Sequence, residues 1–212
     1  MRAPQAALRL VLASANPDKA REMREILRAV VGDGVELLAR PANLPAVEED
    51  GVTLEDNARL KAHAVRLATG LSALADDTGL EVDALGGEPG VRAARYAGPE
   101  GIAANNVAKL LGALVGLDDR RARFRTVALA ALADGTELVA TGILEGSVAA
   151  APVGRGGFGY DAVFVPDGGD GRTLAEMDAV DKHEISHRGR ALRQLAGMLE
   201  TYLAGSPPAG RP

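Results

Sequence analysis

Along the first half of the chain, short, mostly apolar runs alternate with stretches in which apolar residues return every third or fourth position. Leu8 to Ala13 is the first run and predicts a buried strand. Ala20, Met23, Ile26, Leu27 and Val30 follow at helical spacing. Between them Asn16 suits an N-cap and Pro17 the first helical position. Val35 to Ala39 predicts a second strand. Beyond a loop from Pro41 to Pro45 and an acidic turn, Glu48-Glu49-Asp50-Gly51, Thr53 opens a helix carried by Leu54, Ala58, Val65 and Ala68. Asp56 is its imperfect capping-box partner. The third solid run, Leu71 to Ala75, leads straight into Asp76 and Asp77, then Thr78 and Gly79. That order predicts a strand whose end delivers two carboxylates into a cleft, with Gly79 turning the chain. Alternation along the strand sends Asp76 and Asp77 to opposite sides.

The second half is richer in turns. Gly86 to Gly98 is a loop bearing Arg92 and Arg95, and Asn105 to Leu117 predicts a helix. Asp118 to Arg123 reads as a charged linker. Phe124 to Ala133 and Leu138 to Val148, joined at Asp134-Gly135, predict an antiparallel hairpin. A glycine cluster from Pro152 to Asp161 precedes a strand over Ala162 to Val165. Thr173 to Met177 is a short helical turn. A last helix follows a basic start, Lys182 to Arg190, with Ala191, Leu192, Leu195, Met198 and Leu199 on its apolar face. Residues 1–204 read as one domain and 205–212 as a disordered Pro/Gly-rich tail.

Composition narrows the chemistry. Hydrophobic residues make up 47% of the 212, but aromatics only 3%, so the core must be built from Ala, Leu and Val. A net charge of -5 argues against a broad nucleic-acid-binding face. Without cysteine, thiol catalysis, disulfides and cysteine-based zinc sites are excluded. The stretch from Arg2 through Ala15 imitates a secretory signal, but Arg9 interrupts it and a first strand explains it better. No apolar run approaches the ~20 residues of a membrane span. A cytoplasmic protein without membrane or nucleic-acid partners is expected.

Five stretches carry candidate chemistry, each with an ordinary alternative. Ser14 to Lys19, between strand and helix, could present an anion with a helix terminus and a lysine, or be a plain capped helix. Asn57 and Lys61 share one helix face, where Lys61 could also snorkel to solvent. Phe158 among glycines offers a face for a base to stack on, or marks a turn. Two adjacent carboxylates at a core edge call for positive charge, and a divalent metal is a natural partner, though an Asp-Asp turn can be merely solvated. Lys182, His187 and Arg188 concentrate donors in an acidic protein, or form a solvated helix start. Together these are the parts of a nucleoside triphosphate pocket.

At this point the chain resembles the noncanonical purine NTP pyrophosphatases, the XTP/dITP diphosphatase or inosine triphosphate pyrophosphatase family. The resembling segments are Ser14 to Lys19, Asp56-Asn57-Ala58 with Lys61-Ala62, Ala75 to Leu80, Leu85 to Gly90, Arg95 to Gly98, Gly156 to Asp161 and Ile185 to Gly189. They run in family order and leave only the two ends uncovered. The resemblance implies an α/β fold, with a long mixed twisted sheet and flanking helices, two lobes around a central cleft, and a homodimer. It implies Mg2+-dependent hydrolysis of ITP, dITP and XTP to the monophosphate and pyrophosphate, which cleanses the nucleotide pool. It places the triphosphate on Ser14, Ala15, Asn16, Pro17, Asp18, Lys19 and Lys61. Asp77 becomes general base and metal ligand, and Thr78 a substrate contact. Glu48 becomes the second metal ligand, with Glu49 its close competitor. Phe158, Gly159, Tyr160, Asp161, Lys182, His187 and Arg188 take the nucleoside.

The chain departs from the family in three places. Ala15 stands where glycine is usual, which is a strain if that position needs positive φ. Asp56 replaces a glutamate, and Thr78 a frequent serine. The donor set suits a 6-oxo purine, since adenine would leave buried donors unpaired. Two other readings stay open: a Mg2+-dependent pyrophosphatase for other nucleotides, and a non-catalytic purine nucleotide sensor.

Overall fold

The computed structural model describes residues 7–205. Its strands are β1 (Leu8–Leu12), β2 (Val35–Ala39), β3 (Ser72–Val82), β4 (Pro89–Gly90), β5 (Arg121–Ala131), β6 (Glu137–Val148) and β7 (Phe164–Pro166). Its helices are α1 (Pro17–Val30), α2 (Leu54–Thr69), α3 (Ala103–Ala113), α4 (Ala179–Ile185) and α5 (His187–Gly205). The strands form one mixed sheet in the order β2-β1-β3-β5-β6-β7, with β4 on β3. The β1 to β2 and β1 to β3 pairings are parallel, with α1 and α2 as crossovers; the rest are antiparallel.

The helix caps follow the sequence closely. Asn16 caps α1 through its side chain, with Pro17 at the first helical position. Thr53 and Asp56 close both halves of a capping box on α2: the shorter aspartate still accepts from Thr53 N, and Thr53 Oγ1 accepts from Asp56 N. The β5–β6 hairpin turns at Asp134-Gly135 as expected, with Leu132 N donating to Thr136 O at 2.8 Å.

Burial divides by strand parity. Leu74, Ala128 and Ala130 face α1 and α5, where Met23, Leu27, Leu192 and Leu195 cover them. Ala73, Ala75, Val127 and Leu129 face α2 and pack on Ala58, Ala62 and Val65. Further along β3, Leu80 and Val82 enter a third core with Phe124, Phe164, Leu110 and Tyr160. Asp76 and Thr78 share a face with Leu74 and Leu80, so this polar pair sits where two apolar cores meet.

Several expected boundaries move. Gly79 does not turn the chain: β3 runs unbroken from Ser72 to Val82, paired with β5 throughout. Glycine is required there by a close approach, because a Cβ would lie 2.8 Å from the Gly90 carbonyl oxygen. The expected linker at Asp118 to Arg123 is half strand, since Arg121 begins β5 and Arg123 reaches Asp83 at 2.5 Å. The predicted helix over 105–117 lies over Ala103–Ala113. Ala162 and Val163 belong to a 3-10 turn, and β7 starts only at Phe164. The basic cluster opens no single helix. Ser186 adopts extended backbone and splits it between α4 and α5. Gly205 closes α5, and the rest of the expected tail, 206–212, lies outside the described residues. No helix among the described residues is long and apolar enough to cross a membrane.

Candidate active site

The β3 strand loses its neighbour on one side where the carboxylates begin. Its pairing with β1 stops at Leu74, and pairing with β4 starts at Leu80. Between these points a cleft of about 820 Å³ opens against Asp77 and Thr78. Ser14, Ala15, Asn16 and Lys19 line one wall, and Asn57 and Lys61 of α2 another. Glu49, Arg40, Arg92 and Arg95 line the rest of the rim.

Alternation along β3 separates the two aspartates as expected. Asp77 turns to α2, where Lys61 Nζ lies 2.8 Å from Oδ1 and Asn57 Nδ2 donates to Oδ2 at 3.3 Å. Asn57 Oδ1 in turn accepts from Gly51 N at 2.9 Å, tying the acidic turn to the strand. Burial pushes the Asp77 carboxyl up, against the opposing pull of Lys61 and Lys19. Burial also works against the Lys61 ammonium, but Asp77, Asp76 and Glu49 outweigh it and raise the group.

Asp76 faces the other way. Arg188 Nε donates to its Oδ2 at 3.0 Å, and Lys19 Nζ stands 3.8 Å off. Burial opposes its charge, yet Lys19, Arg188 and Lys61 hold it well below the usual carboxylate range. Among the described residues its Oδ1 is buried without a hydrogen-bond partner. Desolvation lowers the Lys19 ammonium in turn.

Behind Asp76 lies a charged layer that the sequence concealed. Glu22 of α1 accepts from Lys182 Nζ and from Arg188 Nη1, each at 2.5 Å. Lys182 also reaches Asp161 at 2.7 Å, and Asp161 accepts from Phe158 N at 2.7 Å. The Phe158 ring lies under both cations, 5.1 Å from Lys182 Nζ and 5.5 Å from the Arg188 guanidinium. His187 stacks on Phe124 and meets Thr126 through Nδ1 at 2.6 Å. Burial, with Arg188 and Lys182 beside it, pushes the imidazole well below the ordinary histidine range, so it is neutral.

The expected residues are therefore only partly gathered at the cleft. Pro17 and Asp18 lie off its lining, and Asp18 pairs with Arg21 at 2.8 Å on the solvent side. Asn16 Oδ1 already takes the Asp18 and Lys19 amides at 2.9 and 3.1 Å, which leaves the Lys19 ammonium as the anion-facing group. Ala15 carries no strain, because no described residue other than glycine has positive φ. Glu48 is exposed and off the lining, whereas Glu49 lines the cleft and meets Lys61 at 3.2 Å and Arg95 at 3.9 Å. Tyr160 turns into the core and donates to Ala93 O at 2.9 Å; Gly159 precedes it in the turn. Glu22 was legible only as a charge on the apolar face of α1, one residue before Met23. Thr126 carried no sequence signal.

Among the described residues no three His, Asp or Glu side chains converge enough to hold a metal by themselves. Asp77 and Glu49, both within 3.2 Å of Lys61, still supply two hard oxygen donors on one rim. That set fits a small divalent cation completed by phosphate oxygens, the usual arrangement for Mg2+.

Comparison with known proteins agrees with this geometry. A family model described as the Ham1 family matches residues 10–198. A Streptomyces coelicolor protein named dITP/XTP pyrophosphatase is 46% identical, over 92% of this chain and 98% of its own. A Mycobacterium bovis protein of the same name is 45% identical, over 93% and 98%. The structure of a HAM1 protein from Coxiella burnetii superposes with TM-score 0.81 at 40% identity, covering 92% of this chain and 99% of that one. With a family model matched over most of its length and relatives at 40–46% identity across nine-tenths of it, the chain belongs to the Ham1 family.

Proposed function

We propose that the protein hydrolyses noncanonical purine nucleoside triphosphates (ITP, dITP and XTP) to the monophosphate and pyrophosphate, using Mg2+. One observation carries the reading: the buried Asp77 carboxylate, raised by desolvation and paired to Lys61, opens on a cleft whose other wall is Lys19. The names of the relatives supply the substrate class.

Asp77 holds and deprotonates the water that attacks the α-phosphorus. A carboxylate with a raised pKa is a better base near neutral pH. Lys19, Lys61 and the rim arginines take the charge of the triphosphate, Lys19 and Lys61 from positions fixed by Asp76 and Asp77. Asp77 and Glu49 would hold the metal, which when bound polarises the phosphate and orients the leaving group.

Phe158 offers its ring to the base. Lys182 and Arg188 are tied to Glu22, Asp161 and Asp76, yet neither has spent all its donors. Such donors favour an acceptor at purine position 6 and leave adenine mismatched. The two lobes, carried on one continuous sheet, act as a single domain within a cytoplasmic homodimer; the resemblance to the family supports that assembly.

The test is pyrophosphate release from dITP, XTP, GTP, ATP and dTTP, with and without Mg2+, for wild type and Asp77→Asn. Metal-dependent turnover of dITP and XTP that the variant loses is the expected result. Comparable turnover of ATP or dTTP would remove the base-selection argument and favour a broader nucleotide pyrophosphatase. Binding without turnover would favour a sensor.

A further inference from the structure

Thr126 on β5 is fully buried, yet nothing in the catalytic scheme above uses it. Its hydroxyl lies between two others: 2.7 Å from Thr78 Oγ1 and 2.6 Å from His187 Nδ1. The chain continues at its far end to Arg188, whose Nη2 donates to Thr78 Oγ1 at 3.2 Å. The line Arg188, Thr78, Thr126, His187 therefore connects the Asp76 carboxylate to the imidazole.

The direction of the protons along this line can be read from the inventory of donors. Arg188 is donor-only and stays protonated, so it must give to Thr78. Thr78 has one proton to pass on. Asp76 Oδ2 is 3.4 Å away, beyond a good O–H···O distance, and Thr126 Oγ1 is at 2.7 Å. The shorter distance favours Thr126 as the acceptor of that proton. Thr126 must then direct its own proton to His187 Nδ1, which accepts. A neutral imidazole that accepts at Nδ1 carries its proton on Nε2. That second nitrogen makes no hydrogen bond among the described residues.

We propose that Thr126 is a positioning residue for base recognition: by donating to His187 Nδ1 it fixes the imidazole proton on Nε2 and makes that nitrogen a donor toward the purine. The inference rests on the function proposed above and on the family resemblance, which assigns His187 to the nucleoside. It goes further by making the choice between an oxygen and an amino group at purine position 6 depend on one buried hydroxyl. The tautomer with Nε2 bare would accept from an amino group and welcome adenine. The Thr126 hydroxyl suppresses that tautomer without touching substrate.

The experiment pairs nitrogen NMR with substrate discrimination for wild type, Thr126→Val and Thr126→Ser. The chain has only three histidines, so the His187 ring signals are readily assigned. In wild type the 15N shifts should show a pyridine-type Nδ1 and a pyrrole-type Nε2. Thr126→Val keeps the side-chain shape and removes the hydroxyl. It should give averaged shifts at both nitrogens and narrow the dITP to dATP preference in kcat/KM by about tenfold. Thr126→Ser should restore both readouts. A wild-type Nδ1 that carries the proton would overturn the proposal. So would a Thr126→Val protein that melts earlier or loses activity on both substrates alike while its shifts and preference stay unchanged. Failure of the function itself is separable: wild type would then not turn over dITP at all, while the NMR would still report the tautomer.

Discussion

Lys61 Nζ lies 2.8 Å from Asp77 Oδ1, and both side chains are almost wholly buried at the cleft wall. Breaking a buried pair from one side strands the other charge, which costs about 3–5 kcal/mol, whereas replacing both is far milder. Lys61→Met and Asp77→Asn should each lower stability, and the double variant should recover a large part of the loss. Urea unfolding of the four proteins measures this. Additive losses would show that the pair is not coupled in the folded state.

Glu49 and Glu48 are neighbours with different surroundings, since only Glu49 reaches the cleft and Lys61. Chelation should abolish turnover and added Mg2+ should restore it. Glu49→Gln should raise the Mg2+ concentration for half-maximal rate by at least about tenfold, since losing even an outer-shell partner of a metal ligand costs about 10–100-fold. Glu48→Gln should leave it unchanged. A reversed order in a Mg2+ titration would return the ligand role to Glu48.

Glu22 carries the charge balance of the inner layer. Burial opposes its ionisation, but Arg188 and Lys182 outweigh it and lower its carboxyl from the ordinary 4.5. A depressed carboxyl stabilises the fold above its unfolded value, and that stability is lost as pH falls through the folded value. Glu22→Gln should therefore cost about 3 kcal/mol at neutral pH. The gap to wild type should start to shrink as pH drops below about 4.5, where the unfolded carboxylate takes up a proton, and close as pH falls through the lower folded value. Denaturation midpoints across that range check both the size and the sign.

Gly142 lets α5 sit directly on β6. A Cβ there would overlap the His187 carbonyl oxygen and fall 2.6 Å from Ala191 N. Both obstacles are backbone, so no side chain can swing aside. Gly142→Ala should cost about 1–3 kcal/mol by overpacking. It should also weaken dITP turnover beyond the stability loss, because it pushes on the turn of helix that holds His187 and Arg188. Activity measured well below the melting temperature separates the two effects.

Sequence by itself determined much of this protein. The period of apolar residues set β1, α1, β2, α2 and the β5–β6 hairpin, because each buries one face and local caps mark its ends. Asn16-Pro17 and Thr53 to Asp56 stop and start helices through hydrogen bonds closed within four residues. Alternation along β3 also told that Asp76 and Asp77 part company. Tertiary structure alone decided the rest. Gly79 reads as a turn until Gly90 is seen pressed against it, and that contact comes from a paired strand. Glu49 and Glu48 differ only in which one the loop turns toward Lys61. Glu22 meets Arg188 across 166 positions, and Thr126 meets His187 across 61. A local window holds only one partner of each such pair, and a polar side chain takes its role from the partner that burial forces upon it.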